Sequence, residues 1–176
     1  MELQTARLML RPFHAGDVDD VLAYSGDHEY ARFIPVPIPY LARNAEEFVA
    51  QAILRQDSDP MWAIVHEGRV CGAIELDVNG LHRHGELHYG MARPLWGQGF
   101  TSEAARAILE YAFRELRLAR VFGRADIRNV GSWRVLEKIG MQREGLLRHS
   151  RLFRDELIDD VLYAVLSYEW SASTLA

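Results

Sequence analysis

Two glycines stand where a strand gives way to a helix, in the stretch RPLWGQGFTSEAARAILEYAF that runs from Arg93 to Phe113. The preceding segment, GELHYGM, alternates as a strand does, and Pro94 after it cannot donate to a strand ladder. The following residues form an apolar stripe at the spacing of one helix face: Ala104, Ala105, Ile108, Leu109, Ala112 and Phe113. This order predicts a strand, a glycine loop and a helix in direct succession.

A helix that starts at such a loop is suited to bind an anion. Its first amide N–H groups have no carbonyl partner, and the helix dipole adds about half a positive charge at the same end. Gly97 and Gly99 lack the Cβ that would keep a phosphate from the backbone. We therefore expect the amides between Trp96 and Ser102 to bind a diphosphate. The spacing fits neither the Walker pattern nor GxGxxG, so the glycine pair alone leaves simple turn geometry as an alternative.

The other patterns predict a mixed sheet flanked by helices. Strands are expected in ARLMLRPF, on both sides of a HEGR turn at Gly68, in ARVFGRADI and in two long segments joined near Phe153 to Glu156. Helices are expected after Asp17, after an N-cap at Asn44, at the glycine loop and in NVGSWRVLEKIG. The proline-rich FIPVPIPY, from Phe33 to Tyr40, is expected to be an extended loop that either wraps the surface or covers an acceptor pocket.

Composition narrows the classes of protein. A chain of 176 residues fits one domain spanning residues 1–176, and 49% hydrophobic residues suit a soluble protein. No apolar run approaches the roughly 20 residues that span a bilayer, and the first residues lack a signal-peptide pattern, so we expect no membrane partner and a cytoplasmic location. The single Cys71 agrees. A formal net charge of −5 argues against nucleic-acid binding, which depends on Lys and Arg.

Three segments resemble one known family. ELHYGMARPLWGQGFTSEA resembles the coenzyme A loop of the GNAT acetyltransferases, and in detail that of the RimJ/RimL group of protein N-terminal acetyltransferases. RADIRNVGSWRVLEKIGM and TARLMLRPF are similar to two further segments of that group. The residues of the loop that match the group are Trp96, Gly97, Gly99, Phe100, Glu103 and Ala104. The resemblance implies the GNAT fold, a mixed α/β (α+β) fold whose mostly antiparallel sheet has about seven strands and about four flanking helices.

The resemblance also implies acetyl-CoA as co-substrate, with no metal. The pantetheine arm would pair like an added strand near Met91 and Ala92. Asn129 would bind the pantetheine amide, or would only cap the helix that follows. The pyrophosphate would lie against the loop residues Trp96, Gly97, Gln98, Gly99, Phe100 and Thr101.

Acetyl transfer to an amine needs a base, a donor to the oxyanion and an acid for the departing thiolate. The family analogy assigns the oxyanion to a backbone N–H near Tyr89. Glu86 is the candidate base, and its alternative is a strand carboxylate paired with a cation such as Arg83. Ser132 is the candidate acid, because Leu136 stands where much of the superfamily has a tyrosine. Its alternative is a hydrogen bond at the start of the helix.

Several residues depart from the pattern or have two explanations. Trp96 replaces the superfamily's Arg or Gln, and Glu156 stands in the last hairpin where relatives often have glycine, which puts the turn geometry in doubt. Asp159 and Tyr163 match an Asp-x-x-x-Tyr pattern that fits packing as well as the lining of a site. His82, His84 and His88 are close together, but solvated loop histidines explain them better than a metal does.

The resemblance implies a primary amine as acceptor, and the identity of that amine stays open. A free α-amine has a pKa of about 8 and a lysine about 10.4, so a weak base favours a protein or peptide N-terminus. Aminoglycosides, polyamines and amino acids are the alternatives within acetyl transfer, and a non-catalytic coenzyme A-binding module is the alternative to it. The acceptor pocket is expected from residues 24–40 and the last hairpin, in a monomer or homodimer.

Overall fold

The computed structural model describes residues 1–55 and 60–170. Within these residues eight strands form a sheet in the order β1-β2-β3-β4-β5-β6-β8-β7. The strands are β1 (Leu3–Gln4), β2 (Met9–Arg11), β3 (Met61–His66), β4 (Arg69–Asn79), β5 (His84–Met91), β6 (Arg120–Asp126), β7 (Gln142–Phe153) and β8 (Glu156–Leu166). The α-helices of the same residues are α1 (Val18–Ser25), α2 (Ala42–Leu54), α3 (Phe100–Arg114) and α4 (Val130–Lys138).

The strand pairing confirms the predicted fold class. β5 and β6 pair in parallel, from His84 with Arg120 to Glu86 with Phe122. The pairs β1–β2, β2–β3, β3–β4, β6–β8 and β7–β8 are antiparallel. The sheet has one strand more than the about seven expected, because the two residues of β1 are too few to show an alternating pattern.

Contacts divide the chain into two compact units. The first unit contains Met1–Leu76 and His88–Ala104, and the second contains Asp77–Leu87 and Ala105–Ala176. The expectation of one domain over residues 1–176 stays a prediction, and residues 56–59 and 171–176 lie outside the described part of the chain.

The first unit has its core between α1, α2 and the strands beside them. Val21 of α1 is fully buried, as is Ala45 of α2. The rings of Phe13 and Phe48 meet edge to face with centroids 5.5 Å apart. No helix among the described residues is long and apolar enough to cross a membrane.

The start of α2 corrects one prediction. The helix begins at Ala42 with Leu41 as its N-cap, so the N-cap prediction for Asn44 is wrong. The side-chain Oδ1 of Asn44 instead accepts a hydrogen bond from the backbone amide of Leu41 at 2.9 Å. The carboxamide reaches back from the first turn, as the third helical residue of a capping box does. The residue type alone does not distinguish this role from an N-cap.

Two hairpin turns lie where the sequence predicts them. Glu67 and Gly68 join β3 to β4 with φ values of 50° and 79°. Arg154 and Asp155 join β7 to β8 with φ values of 49° and 64°. Positive φ at both central residues is the type I′ geometry that suits the twist of a hairpin. Glu156 begins β8 outside the turn, so this departure from the family leaves the turn itself unaffected.

The stretch that opened the sequence analysis folds as predicted. β5 ends at Met91, and α3 begins at Phe100. The apolar stripe of α3 is buried, from Ala104 to Phe113. The proline-rich segment from Phe33 to Tyr40 lies outside helices and strands, in agreement with the predicted loop.

Candidate active site

The glycine loop, defined here as residues 92–99, joins β5 to α3 in the first unit. Gly97 has φ +75° and Gly99 has φ +83°, a backbone conformation that residues with a Cβ rarely adopt. A Cβ built on Gly97 would meet no heavy atom within 4 Å. Glycine is therefore needed here for the backbone conformation, and the space beside Gly97 is open to a ligand.

The amides that follow have no internal partner. Among the described residues, no backbone carbonyl accepts a hydrogen bond from the amides of residues 97–102. The next amide, that of Glu103, donates to the carbonyl of Gly99 at 2.9 Å, and the helical bonds begin there. The Trp96 amide donates to the Arg93 carbonyl at 3.1 Å, so the run of open donors starts at Gly97. These amides, at the positive end of the α3 dipole, are a site suited to a diphosphate.

The end of β5 is tied to the loop by Trp96. Its indole Nε1 donates to the carbonyl oxygen of Met91 at 2.6 Å, and the residue is 45% exposed. The amide of Ala92 donates to the carbonyl of Cys71 at 2.7 Å. A pantetheine arm pairing at this point would therefore use the second lone pair of the Met91 carbonyl, or other backbone groups of β5. The roles predicted for Met91 and Ala92 stay predictions.

The N-terminal segment reaches the start of α3. The Oε1 atom of Glu103 accepts from the hydroxyl of Thr5 at 2.6 Å and from the backbone amide of Arg7 at 2.8 Å. Its Oε2 accepts from Nε of Arg7 at 2.7 Å. Burial tends to raise the pKa of the Glu103 carboxyl, but these three hydrogen bonds outweigh it and lower that pKa. Glu103 is thus held as a carboxylate at neutral pH.

Glu86, the candidate base, lies on β5 in the second unit. Its two carboxylate oxygens accept from Nε and Nη2 of Arg124 at 2.8 and 2.9 Å. The cation is therefore Arg124, whereas the guanidinium of Arg83 donates to the carbonyl of Arg117. Arg124 lies two residues after Phe122, the parallel neighbour of Glu86, so the two side chains share one face of the sheet.

Asn129 and Ser132 lie at the start of α4. Asn129 is the N-cap, and its side-chain oxygen accepts from the amide of Ser132 at 3.2 Å. Leu136, one turn later, is 1% exposed, and its Cδ2 lies 2.9 Å from the position of a Cβ built on Gly123. The side chain at the superfamily's tyrosine position is therefore a core residue here. Asn129 therefore caps α4, while its predicted contact with pantetheine and the catalytic role of Ser132 stay predictions.

The last hairpin uses its polar residues in structural contacts. The hydroxyl of Tyr163 donates to Oε1 of Glu137 at 3.0 Å, and burial, with Glu137 next to it, raises the pKa of this tyrosine. Oδ1 of Asp159 accepts from the amide of His149 at 2.8 Å. Glu156 pairs with Arg128. Packing therefore accounts for Asp159 and Tyr163.

The three histidines show no arrangement for a metal. The rings of His82 and His84 lie 5.6 Å apart edge to face, and His84 packs against Phe122. In residues 1–55 and 60–170, no three His, Cys, Asp or Glu side chains are grouped to hold a metal ion.

Three phenols surround Ser25 in the region expected to bind the acceptor. Tyr24 and Tyr30 are buried, and their rings meet at 5.3 Å. Burial, followed by the neighbouring Tyr30 and Tyr40, raises the pKa of Tyr24. Ser25 opposes that increase, but within the described residues the Tyr24 hydroxyl has no partner at hydrogen-bonding geometry. Burial also raises the pKa of Tyr30 and Tyr40, so the three phenols of this region are protonated at neutral pH.

Sequence reasoning missed the side chains that hold these groups in place. Thr5 and Arg7 belong to the TARLMLRPF motif and Glu103 to the loop motif, but nothing in their spacing shows that they touch. The sequence signal for this contact was that both motifs occur in the same chain. Arg124 could have been found from the period of two along β6, once its register with β5 was known.

The comparisons with known proteins all indicate the same family. The model of the acetyltransferase (GNAT) domain matches residues 7–142. The chain is 30% identical over 174 residues to the "Uncharacterized N-acetyltransferase YnaD" of Bacillus subtilis, covering 97% of this chain and 100% of that protein. It is 34% identical over 108 residues to the "Putative ribosomal N-acetyltransferase YdaF" of the same organism, covering 61% of this chain and 59% of that protein. A GNAT acetyltransferase structure from Bacillus anthracis matches with a TM-score of 0.86 and 27% identity, over 96% of this chain and 99% of that one.

Proposed function

The chain belongs to the GNAT family of N-acetyltransferases, and from this premise we propose that it moves the acetyl group of acetyl-CoA to the α-amine of a protein or peptide N-terminus. The resemblance of the loop to the RimJ/RimL group supports that choice of acceptor, as does the name of the relative YdaF. The cytoplasmic location expected from the sequence belongs to the same proposal.

The open amides of residues 97–102 carry the proposal. A diphosphate needs several donors that converge on it, and the start of α3 supplies them with a favourable dipole and no competing acceptor. The side chains of the loop add no carboxylate, because the residues from Trp96 to Ser102 are uncharged. The acetyl donor would thus be held mainly by main-chain groups.

The reaction is a direct attack in a ternary complex. The neutral amine nitrogen forms a C–N bond to the thioester carbonyl carbon, and the C–S bond breaks as the tetrahedral species collapses. We assign the developing oxyanion to the backbone N–H near Tyr89, and the amine proton to Glu86 directly or through water. The departing thiolate receives a proton from Ser132, and solvent water restores the Ser132 hydroxyl and takes up the proton held by Glu86.

The candidate base also bears on the choice of acceptor. Glu86 is a carboxylate whose oxygens both accept hydrogen bonds from Arg124, and carboxylates as a class are weaker bases than amines. An α-amine has a pKa about 2.4 units below that of lysine, so it costs about 3 kcal/mol less to neutralise at pH 7. A weak base is therefore better matched to an N-terminal amine than to a lysine or a polyamine.

The test is a thiol-release assay with acetyl-CoA against N-terminal peptides, aminoglycosides, polyamines and amino acids. We expect turnover with peptides. Turnover with an antibiotic or a polyamine but with no peptide would replace the proposed acceptor. Tight binding of coenzyme A with no turnover on any acceptor would indicate a binding module instead.

A second arm of the assay tests the base. Glu86→Gln should lower kcat by about 100-fold across the range from about pH 6 to 9, as expected for loss of a general base. Glu144→Gln is the matched control, because Glu144 also accepts two hydrogen bonds from an arginine of β6, Arg120, at 2.6 and 2.5 Å. A Glu86→Gln enzyme with the full rate at every pH would exclude this role.

A further inference from the structure

We propose that Thr5, Arg7 and Glu103 form a clasp that positions the glycine loop for acetyl-CoA, so that the N-terminal segment takes part in donor binding. The inference rests on the proposed function, because it assumes that the loop binds the diphosphate. It assigns positioning roles to three residues that contact the loop or the start of α3.

The clasp is anchored on one carboxylate. Glu103 lies in the first turn of α3 and accepts three hydrogen bonds of 2.6 to 2.8 Å, two from Arg7 and one from Thr5. The Thr5 hydroxyl also bonds the backbone of Leu8, and the amide of Leu8 returns a bond of 2.9 Å to it. The N-terminal segment is thus fixed on itself and on the helix by the same side chains.

Arg7 extends from this carboxylate to the loop. Its Nη1 donates to the carbonyl of Gln98 at 3.2 Å, and its Nη2 lies 3.6 Å from the position of a Cβ built on Gly99. Its guanidinium carbon lies 4.0 Å from the centroid of the Phe100 ring. One side chain therefore contacts Gln98 and Phe100 and fills the space beside Gly99, at the junction of the loop and α3.

The loop needs support of this kind from outside. Gly97 and Gly99 give the backbone the positive φ values that the loop requires, but glycine also permits many other conformations in the absence of a constraint. Gly99, just before α3, has no side chain with which to cap the helix. Contacts from another segment reduce the conformational freedom that ligand binding would otherwise have to remove.

Charge balance decides between positioning and direct binding. The sequence has Trp96 where the superfamily has Arg or Gln, and Arg7 brings a guanidinium to the same loop. That positive charge is balanced by Glu103 at 2.7 Å, and the remaining contacts of Arg7 go to a carbonyl and a ring. We therefore assign Arg7 to holding the backbone rather than to neutralising a phosphate.

The test compares two ion pairs of the first unit. Glu103→Ala removes the anchor of the clasp, and Glu75→Ala removes the partner of Arg55. The two pairs are matched in exposure, with side-chain values of 43% and 18% for Arg7 and Glu103 and 44% and 18% for Arg55 and Glu75. The measurements are the Kd for coenzyme A by calorimetry, the KM for acetyl-CoA, kcat at saturation and the unfolding temperature.

We expect Glu103→Ala to raise Kd and KM by about 10-fold, or about 1.4 kcal/mol, with kcat within about 2-fold of the wild type. Glu75→Ala should leave all three within about 2-fold. Arg7→Ala should add little to Glu103→Ala, because removal of Glu103 already takes away the carboxylate that holds the Arg7 side chain against the loop. A purely structural role would lower the unfolding temperature of the two variants without this separation of KM from kcat.

The outcomes distinguish a failure of the clasp proposal from a failure of the proposed function on which it rests. If the wild type fails to bind coenzyme A, the proposed function falls and the clasp with it. If the wild type binds and a folded Glu103→Ala binds equally well, only the clasp is wrong. Should Glu103→Ala fail to fold, Thr5→Val tests the clasp in the same assay, with an expected rise in Kd of about 3-fold and a wild-type value as the contradicting result.

Discussion

The starts of α3 and α4 are built in opposite ways. At α4, Asn129 is the N-cap, and its side chain accepts a hydrogen bond from the amide of Ser132. At α3, Gly99 precedes the first helical residue and has no side chain to offer, and the amides of residues 97–102 have no backbone acceptor among the described residues. The start of α4 is therefore capped by an adjacent residue, whereas the first amides of α3 have no backbone acceptor in the described part of the chain.

The two helices also differ in where their support comes from. α4 is capped by a residue next to it in sequence, whereas α3 is held from the side by Thr5 and Arg7, which contact Glu103. Asparagine or serine would not fit position 99 without strain, because the φ of +83° at Gly99 is one that residues with a Cβ rarely adopt. The difference teaches that an uncapped helix start held by a distant segment is a candidate ligand site, whereas a cap from the adjacent sequence is explained by the helix boundary alone.

The largest expected effect comes from closing the open start with a charge. Gly97→Glu places a carboxylate beside the amides, and we expect the Kd for coenzyme A to rise at least about 100-fold, or about 2.7 kcal/mol. Both the lost backbone geometry and the repulsion of a phosphate contribute to that loss. Isothermal titration calorimetry measures it directly.

Gly140→Glu is the matched control for that variant. Gly140 has φ +90°, and a Cβ there, as at Gly97, meets nothing within 4 Å. Each substitution should lower the free energy of unfolding by about 1–2 kcal/mol through backbone strain. If the two variants lose coenzyme A affinity equally, the effect is one of general stability, and the comparison between the helix starts fails.

A smaller effect is expected at the closed start. Asn129→Ala should lower the free energy of unfolding by about 1 kcal/mol, because one amide of α4 loses its acceptor. Asn129→Ser should keep most of that stability, since serine also caps helices. Chemical denaturation and calorimetry with coenzyme A follow the two quantities separately.

The comparison predicts that neither variant changes the Kd for coenzyme A by more than about 2-fold. A rise in Kd shared by Ala and Ser would mean that the Asn129 side chain binds the pantetheine amide as well as capping the helix. The start of α4 would then also belong to the ligand site, and the contrast with α3 would be one of degree.

The sequence predicted most of the fold because its signals are local. The glycine pair followed by the apolar stripe up to Phe113 predicted the loop and α3, and the turn at Gly68 predicted a hairpin. The strand β1 could not be predicted, because two residues are too few to show an alternating pattern. The start of α2 was misplaced because Asn44 bonds backward to Leu41, and the same residue type serves an N-cap.

The glycine loop could be located from the sequence because its expected role depends on the backbone. Open amides follow from the position of two glycines, so the loop could be named from sequence. Side-chain partners from distant segments could not, because Arg7 and Glu103 are separated by 96 residues and Glu86 and Arg124 by 38. Such pairs depend on the register of the strands and on loop paths, which no local pattern encodes.

The smallest expected effect concerns a buried polar group that has no hydrogen-bond partner among the described residues. The hydroxyl of Tyr24 lacks a partner among the described residues, and the residue is 6% exposed, so water does not reach it as it reaches the loop. Tyr24→Phe should therefore raise the free energy of unfolding by up to about 1 kcal/mol, since an unsatisfied buried hydroxyl is costly. Thermal denaturation measures this, with Val49→Ala as a control that should destabilise by about 1–3 kcal/mol.

A loss of stability in Tyr24→Phe would show that the hydroxyl has a bound water or another partner. A higher KM for the acceptor at unchanged stability would place the Tyr24 hydroxyl in the acceptor site. This hydroxyl would then be a polar group left without a protein partner for a ligand, as we propose for the open amides of α3.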